Sequence, residues 1–196
     1  MVLLISLIDM IASLPTPKDR ILYLTSQINQ DVSATLTKSI IDICDDDKYL
    51  SSLYQIHNCK YNSNPIKIYI DSYGGNSYQM LTLMSIIEKS STPIHTIVTG
   101  CAMSAGFMIA ISGHKRFAYN MSTFMYHQMS TIVYGKLEDI KNDVVECERI
   151  TKIVEDYVIK RTNITKKELK HNFEFKKDWY FSAKDALKYG IIDEII

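Results

Sequence analysis

The sequence predicts an α/β protein in which parallel strands alternate with helices. Apolar and polar residues alternate from Pro65 to Asp71, which predicts a strand, and a double glycine and a helical stripe follow it. The same order recurs one unit later, where a strand from Ile94 to Thr99 leads into a turn and an apolar helix. Because the carboxyl ends of parallel strands share one edge of the sheet, where ligands bind, we expect the two turns to face each other.

The composition is that of one globular domain with a sizeable core. The chain has 196 residues, of which 46% are apolar, and its 22 basic residues balance 22 acidic ones. Zero net charge and scattered lysines argue against nucleic acid as a ligand. The four cysteines include no Cys-x-x-Cys pair, so we expect reduced packing residues, a cytoplasmic protein and no metal site.

The opening segment, from Met1 to Leu14, is apolar enough to raise the question of targeting. No basic residue precedes Lys18, Asp9 interrupts the run, and the run is too short to span a bilayer. A weak resemblance of residues 11–13 to a cleavage site leaves a signal peptide as an alternative. The favoured interpretation is an amphipathic segment that packs on the core or on another subunit.

The first part of the chain predicts a short strand, a helix and a polar stretch. The strand runs from Arg20 to Thr25, and a helix capped by its first residue runs from Asp31 to Cys44. From Asp45 to Asn64 the residues become charged and polar, which predicts a long loop or a frayed extension of the helix. A metal site at His57 and Cys59 is a less favoured alternative.

The middle of the chain predicts a buried helix, two short strands and one long helix. The buried helix spans Phe107 to Ile111, and the strands span Arg116 to Tyr119 and Thr123 to His127. The long helix spans 137–161, a length that indicates projection toward another subunit. Its apolar stripe consists of Ile140, Val144, Cys147, Ile150, Val154 and Tyr157.

The last part of the chain carries two helix caps. Thr165 to Glu168 is a capping box that opens a short helix, and an edge strand from Asp178 to Ser182 follows. Ser182 to Asp185 then caps the final helix, which a glycine ends, and a last strand covers residues 191–196.

Five residues offer the parts of a serine peptidase, which needs a nucleophile, a base, an orienting acid and two N–H donors for an oxyanion. Ser104 stands at a predicted helix start, where free N–H groups and the helix dipole favour negative charge. His127 ends a predicted strand, and Asp178 precedes another. The N–H groups of Gly75 and Ala105 can serve as the donors. Taken singly, the three side chains are equally consistent with a cap, a hydrogen bond at a strand end and a surface charge.

Six motifs, in order from about Arg20 to the C-terminus, resemble the ClpP family, the proteolytic subunits of ATP-dependent Clp proteases. They are Asp71–Gly75, Gly100–Gly106, Lys115–Ala118, Met125–Gln128, Asp178–Ala183 and Ala186–Asp193.

The resemblance implies a fold and a role for each site residue. The fold is the ClpP/crotonase-like spiral of ββα units, formed by residues 1–196 as a single peptidase domain. Ser104 resembles the family's nucleophile, His127 its general base and Asp178 its orienting acid. Gly75 and Ala105 resemble its oxyanion donors. No metal or cofactor is implied.

The resemblance also implies an assembly. The helix over 137–161 resembles the family's "handle", which joins rings into a barrel. The expected partners are copies of the chain in a heptameric ring or double ring, an ATP-dependent unfoldase and a polypeptide substrate. Neither a nucleic acid nor a membrane is expected.

Several positions depart from the family pattern. Tyr73 and Met129 stand where the family has proline, the turn at Gly113 is shorter, and the stretch over 45–64 resembles an insertion. Residues 1–19 do not resemble the family's N-terminal hairpin. These differences bear on the axial opening and the ATPase partner more than on the chemistry.

Three other functions fit the same fold. A catalytically silent subunit of a mixed barrel would need no complete triad, whereas Ser104, His127 and Asp178 are all present. A crotonase-type acyl-CoA enzyme would need an adenine pocket for which the sequence gives no sign. A relative of signal-peptide peptidases would need a lysine base, and no lysine stands at the position of His127.

Overall fold

The computed structural model describes residues 19–56, 58–174 and 178–196. The predicted opening segment, Met1 to Leu14, lies outside the described residues, and so does His57 of the alternative metal site. No helix in the described ranges is both long enough and apolar enough to cross a membrane.

A parallel sheet forms the centre of the protein. Its strands lie in the order β1-β2-β3-β4-β7, and each pairs in parallel with its neighbour. Their bounds are Ile21–Leu24 for β1, Ile66–Ser72 for β2, Ile94–Met103 for β3, Lys115–Ala118 for β4 and Glu194–Ile195 for β7. The predicted alternation in β2 is confirmed, because Ile66, Ile68 and Ile70 are buried while Lys67 and Asp71 are exposed.

The long strand β3 contacts two different neighbours on the same side. Its first part, His95 to Val98, pairs with β4, and its last part, Cys101 to Met103, pairs in parallel with β5 (Thr123–Tyr126). An antiparallel strand, β6 (Trp179–Ser182), completes this second layer on the far side of β5. The end of β3 is therefore the point where the sheet divides.

Helices cover the sheet between the strands. Their bounds are Gln30–Ile56 for α1, Ser77–Lys89 for α2, Ala105–Ser112 for α3, Leu137–Arg161 for α4, Lys166–Glu174 for α5 and Ala183–Lys188 for α6. The predicted stripe on α2 is buried, and every residue of α3 is buried, which identifies α3 as the central core helix. The capping boxes at Thr165 and Ser182 both form.

Of the two predictions for residues 45–64, the extension of the helix is confirmed for the first half, where α1 continues to Ile56, and the loop describes only the residues after it. The polar residues of the extension belong mainly to the exposed face of the helix. Asp47 is the exception: it is buried and accepts hydrogen bonds from Arg20, Tyr61 and Thr92. A buried carboxylate of this kind has no hydrophobic period, so its place in the core was not visible in the sequence.

The start of α1 also differs from the prediction. The helix begins at Gln30, so Asp31 lies inside its first turn and is not the cap. Asn29 accepts a hydrogen bond from the Val32 N–H at 2.9 Å and takes the capping role.

The two ends of α4 are in different environments. Near its C-terminus Val158 is buried, and Arg161 donates to the backbone carbonyls of Ile111 and Gly113, which ties α4 to the end of α3. Near its N-terminus Leu137 and Val145 are 67% and 64% exposed. One end of the helix is thus fixed to the core, and the other end presents apolar side chains to solvent.

Candidate active site

Ser104 occupies a strained turn between β3 and α3. Its φ is 52° and its ψ is −120°, which is an uncommon conformation for a residue with a side chain. A sharp turn from a strand to a helix exposes the nucleophile in α/β hydrolases. The Ser104 hydroxyl makes no capping hydrogen bond to α3, so the interpretation of this serine as a simple helix cap is wrong.

His127 directly follows β5 and contacts Ser104. Its Nε2 lies 2.8 Å from the Ser104 Oγ, a normal hydrogen-bond distance. The pairing of β3 with β5 fixes this approach, because Met103 stands opposite Met125 and the Ser104 N–H donates to the Met125 carbonyl. The backbone therefore brings the predicted nucleophile and the predicted base together.

Asp178 precedes β6 by one residue, as His127 follows β5 by one residue, and the two described side chains are not bonded. The last pair of the antiparallel strands β5 and β6 is Tyr126 opposite Trp179. His127 and Asp178 are therefore both one residue beyond the same pair. The Asp178 side chain is nevertheless exposed, and within the described ranges it makes no hydrogen bond to His127. The structure thus places the predicted acid beside the base without joining the two.

Two backbone N–H groups near Ser104 are free to bind an oxyanion. Ile28 bonds to the Gly74 carbonyl and the Asn76 N–H, so the intervening Gly75 directs its own N–H away from that bridge. Ala105 is the first residue of α3, where a helical N–H has no acceptor in the helix. Neither N–H has an acceptor among the residues that the structure describes.

The double glycine is needed for reasons that the sequence alone did not reveal. A Cβ atom at Gly74 would lie 2.8 Å from the Met103 carbonyl oxygen and 2.9 Å from the Ser104 Cβ. At Gly75 it would lie 2.3 Å from the Ile28 carbonyl oxygen. Both glycines also have positive φ angles, 104° and 152°. Sequence reasoning used only the N–H of Gly75 and missed Gly74, although the paired glycines were the available signal.

A cavity of about 420 Å³ lies beside Ser104 and His127. The N–H-bearing residues Gly75 and Ala105 also line it, so the four groups open into one space. The other residues that line the cavity were not identified from the sequence. One side is apolar and the other side is the loop over 129–133. The apolar side consists of Met80, Met108, Tyr126, Ile150 and Val154.

A polar contact joins α2 to α4 along the cavity wall. The Tyr78 hydroxyl donates to Glu146 at 3.0 Å, and Arg149 donates two hydrogen bonds of 2.7 Å to the same carboxylate. The hydrogen bonds from Arg149 and Tyr78 lower the pKa of Glu146 to about 2. Glu146 therefore carries a negative charge that its partners already balance.

Two other polar residues, Asp71 and His114, have structural roles. Asp71 accepts a hydrogen bond from the Cys101 N–H at 2.9 Å, which braces β2 against β3. His114 accepts from the Ile94 N–H at the start of β3. Burial of Cys101, with a smaller contribution from Asp71, raises the pKa of its thiol to about 11, so this cysteine is not a thiolate nucleophile at neutral pH. None of the four cysteines, which all lie in the described ranges, forms a disulfide.

Comparisons with known proteins agree on the fold and on the family. The solved structure of a ClpP1 mutant from Listeria monocytogenes superposes with a TM-score of 0.73, at 22% identity over 90% of this chain and 91% of that one. The fold is therefore that of ClpP, as predicted.

Curated relatives are similar in sequence. The ATP-dependent Clp protease proteolytic subunit of Deinococcus radiodurans is 32% identical over 67% of this chain, a match that spans 64% of that relative. Proteolytic subunit 2 of Bacillus licheniformis is 26% identical over 91% of this chain and 87% of its own length. The ATP-dependent Clp protease proteolytic subunit of Dehalococcoides mccartyi is 28% identical over 91% of this chain and 82% of its own length.

The family model described as Clp protease matches residues 8–196, which is nearly the whole chain. With a strained serine turn, a histidine at hydrogen-bond distance and the ClpP fold around them, this match supports a single conclusion. The chain belongs to the Clp protease family.

Proposed function

We propose that this chain is a serine endopeptidase that cleaves unfolded polypeptides or short peptides through an acyl-enzyme. The observation that carries the proposal is the 2.8 Å contact between the Ser104 Oγ and the His127 Nε2 at a strained turn. A hydroxyl held against a histidine nitrogen, with free N–H groups beside it, is the arrangement that acyl transfer needs.

The proposal assigns each chemical step to a group. The Ser104 Oγ attacks the carbonyl carbon of the substrate while the His127 Nε2 takes the hydroxyl proton. The Gly75 and Ala105 N–H groups bind the resulting oxyanion. His127 then gives its proton to the leaving amine, which breaks the peptide bond and leaves an acyl group on Ser104. A water molecule, deprotonated by His127, hydrolyses this ester and restores the enzyme.

Asp178 is proposed to complete the triad once its side chain turns toward His127. The support is the pairing of β5 with β6, whose last pair, Tyr126 and Trp179, adjoins both His127 and Asp178. A carboxylate at Nδ1 would hold the tautomer in which Nε2 accepts a proton.

We also propose that the chain acts in a closed homo-oligomer, a heptameric ring or double ring fed by an ATP-dependent unfoldase. The support is the exposed apolar surface at the start of α4, formed by Leu137, Val144 and Val145 with Ile132 and Tyr134 ahead of it. Native mass spectrometry of Val145→Glu, with Asn142→Glu as the control on the same helix, should show a smaller particle only for the first variant.

Hydrolysis of a quenched fluorescent peptide tests the activity. The wild type should cleave it, Ser104→Ala should lose roughly 10⁴-fold or more in turnover, and Ser85→Ala, a serine on the outside of α2, should retain activity. Full activity in Ser104→Ala would refute the proposal.

A catalytically silent subunit of a mixed barrel is the second candidate. It is favoured by the fact that Asp178 makes no hydrogen bond to His127 in the described ranges, because a histidine without an orienting acid is a weak base. This candidate predicts that the purified assembly cleaves no peptide at any concentration.

A further inference from the structure

The cavity-facing side of α4 changes from acidic to apolar along the helix. The residues that line the cavity recur at helical spacing and therefore share one face. Asp143 at one end is exposed, whereas Ile150, two turns later, is only 3% exposed. In order along the helix, this face consists of Asp143, Glu146, Cys147, Ile150, Thr151 and Val154.

Asp143 is the unbalanced charge on this face. Glu146 is already bonded to Arg149 and Tyr78. Asp143, by contrast, forms no ion pair or hydrogen bond with any described residue, and the described cavity wall contains no lysine or arginine. A cation that enters the cavity from a substrate would therefore meet an unpaired carboxylate.

The distance between the two ends of this face corresponds to a short stretch of peptide. Asp143 and Ile150 are two helical turns apart, or about 10 Å along the axis. An extended peptide advances about 3.3 Å per residue, so about three residues span this distance. Met108, one turn after Ser104 on α3, and Ile150 both line this cavity with Ser104. We therefore assign the apolar end of the α4 face to the substrate side chain next to the bond that is cleaved.

We infer, on the basis of the proposed peptidase function, that Asp143 is a specificity-determining residue that binds a lysine or arginine side chain of the substrate. In the substrate, this basic residue lies about three positions from the residue whose side chain contacts the apolar end of the α4 face, at Ile150. Lysine and arginine suit this place because their long apolar stems can follow the wall of α4 while the charge reaches its exposed end. A glutamate at the same substrate position meets a like charge.

Peptides with one leucine at the scissile position test this inference. They carry lysine, glutamine or glutamate three residues away, on either side. The wild type should prefer lysine over glutamine by about threefold in kcat/KM, and this preference should weaken as salt is added. Asp143→Asn should remove the preference and Asp143→Lys should reverse it toward glutamate. Glu148→Gln, the same charge change on the exposed side of α4, should leave it intact.

The outcomes separate this inference from the function on which it rests. Equal cleavage of the three peptides, or an unchanged lysine preference in Asp143→Asn, overturns the inference while the peptidase function stands. Binding of the same peptides to Ser104→Ala, followed by fluorescence anisotropy, gives the preference without turnover. Equal dissociation constants there overturn the inference even if no peptide is cleaved.

Discussion

The two strand pairs on either side of β5 hold their residues differently. On one side, β5 pairs with the buried end of β3, and Ser104 and His127 meet at 2.8 Å. On the other side, β5 pairs with β6, where Tyr180 is 57% exposed and Asp178 makes no hydrogen bond to His127 within the described ranges. The nucleophile side is built by the core of one chain. The acid side is built at its surface.

This difference predicts which part of the site would change when the chain enters the proposed homo-oligomer. A contact fixed by a parallel sheet and a buried helix needs nothing beyond the folded chain. A carboxylate on an exposed edge is free to rotate, so its direction depends on what packs against the edge. We therefore expect the isolated chain to hold a formed nucleophile–base pair and the assembled protein to hold the complete triad.

The largest effect is expected when the acid is removed. Asp178→Asn should lower the kcat of the assembled protein by about 10⁴-fold, because the tautomer of His127 would no longer be held. Folding should be unaffected, since the carboxylate has no hydrogen-bond partner in the described part of the chain. Steady-state kinetics beside Asp156→Asn, an exposed aspartate on α4, measures this effect. Near-wild-type turnover in Asp178→Asn would assign the orienting role to another group.

A smaller loss is expected when the core side is disturbed. Gly74→Ala places a Cβ within 3 Å of the backbone on both sides of Ser104, so the turn must shift. A displacement of about 1 Å at a reacting group can cost roughly 10²-fold in rate. The rate of fluorophosphonate labelling measures this loss. Gly135→Ala is the control, because that glycine also has a positive φ but its nearest contact would be 3.7 Å away. Equal labelling of the two variants would show that the turn tolerates the added atom.

The smallest effect on the reactivity of Ser104 is expected from a change at Asp47, the buried carboxylate of α1. Burial raises the pKa of Asp47, but the hydrogen bonds from Arg20, Thr92 and Tyr61 outweigh this and hold it below its usual value. Because the folded-state pKa lies below the unfolded value of about 4, the contribution is present above that pH and is lost as the pH falls through the folded pKa.

Asp47→Asn should therefore lower the free energy of unfolding at pH 7 by about 1–3 kcal/mol. The difference from wild type should shrink as the solution is acidified below about pH 4. Urea denaturation across this pH range measures it, and the labelling rate of Ser104 in the folded variant should stay within about twofold of wild type, within the spread expected for distant sites. A constant difference at every pH would mean that ionisation of Asp47 contributes nothing.

Local patterns explain how much of this molecule could be predicted. The alternation in β2 and the stripe on α2 are visible in consecutive residues, and both faces are buried as expected. The helix start and the strand end made Ser104 and His127 candidates, and the resemblance of the surrounding motifs to the ClpP family gave them their roles. Their contact follows from the pairing of β3 with β5, which was not predicted.

Contacts between distant residues explain what could not be predicted. The burial of Asp47 in the continuation of α1, with hydrogen bonds from Arg20 and Thr92, is a contact that no periodicity encodes. The need for Gly74 arises from the close approach of the Ser104 turn. The exposure of Asp178 depends on what surrounds an edge strand, and the sequence of one chain does not specify that environment.

The proposed mechanism requires Ser104 and His127 to form a nucleophile–base pair in the folded chain. Mass spectrometry of the protein after reaction with a fluorophosphonate tests this claim, because it locates the adduct. We predict an adduct on Ser104 in the wild type and a labelling rate at least about 10²-fold lower in His127→Gln, which keeps a polar side chain but lacks the base. An adduct on another serine, or undiminished labelling of His127→Gln, would contradict the claim.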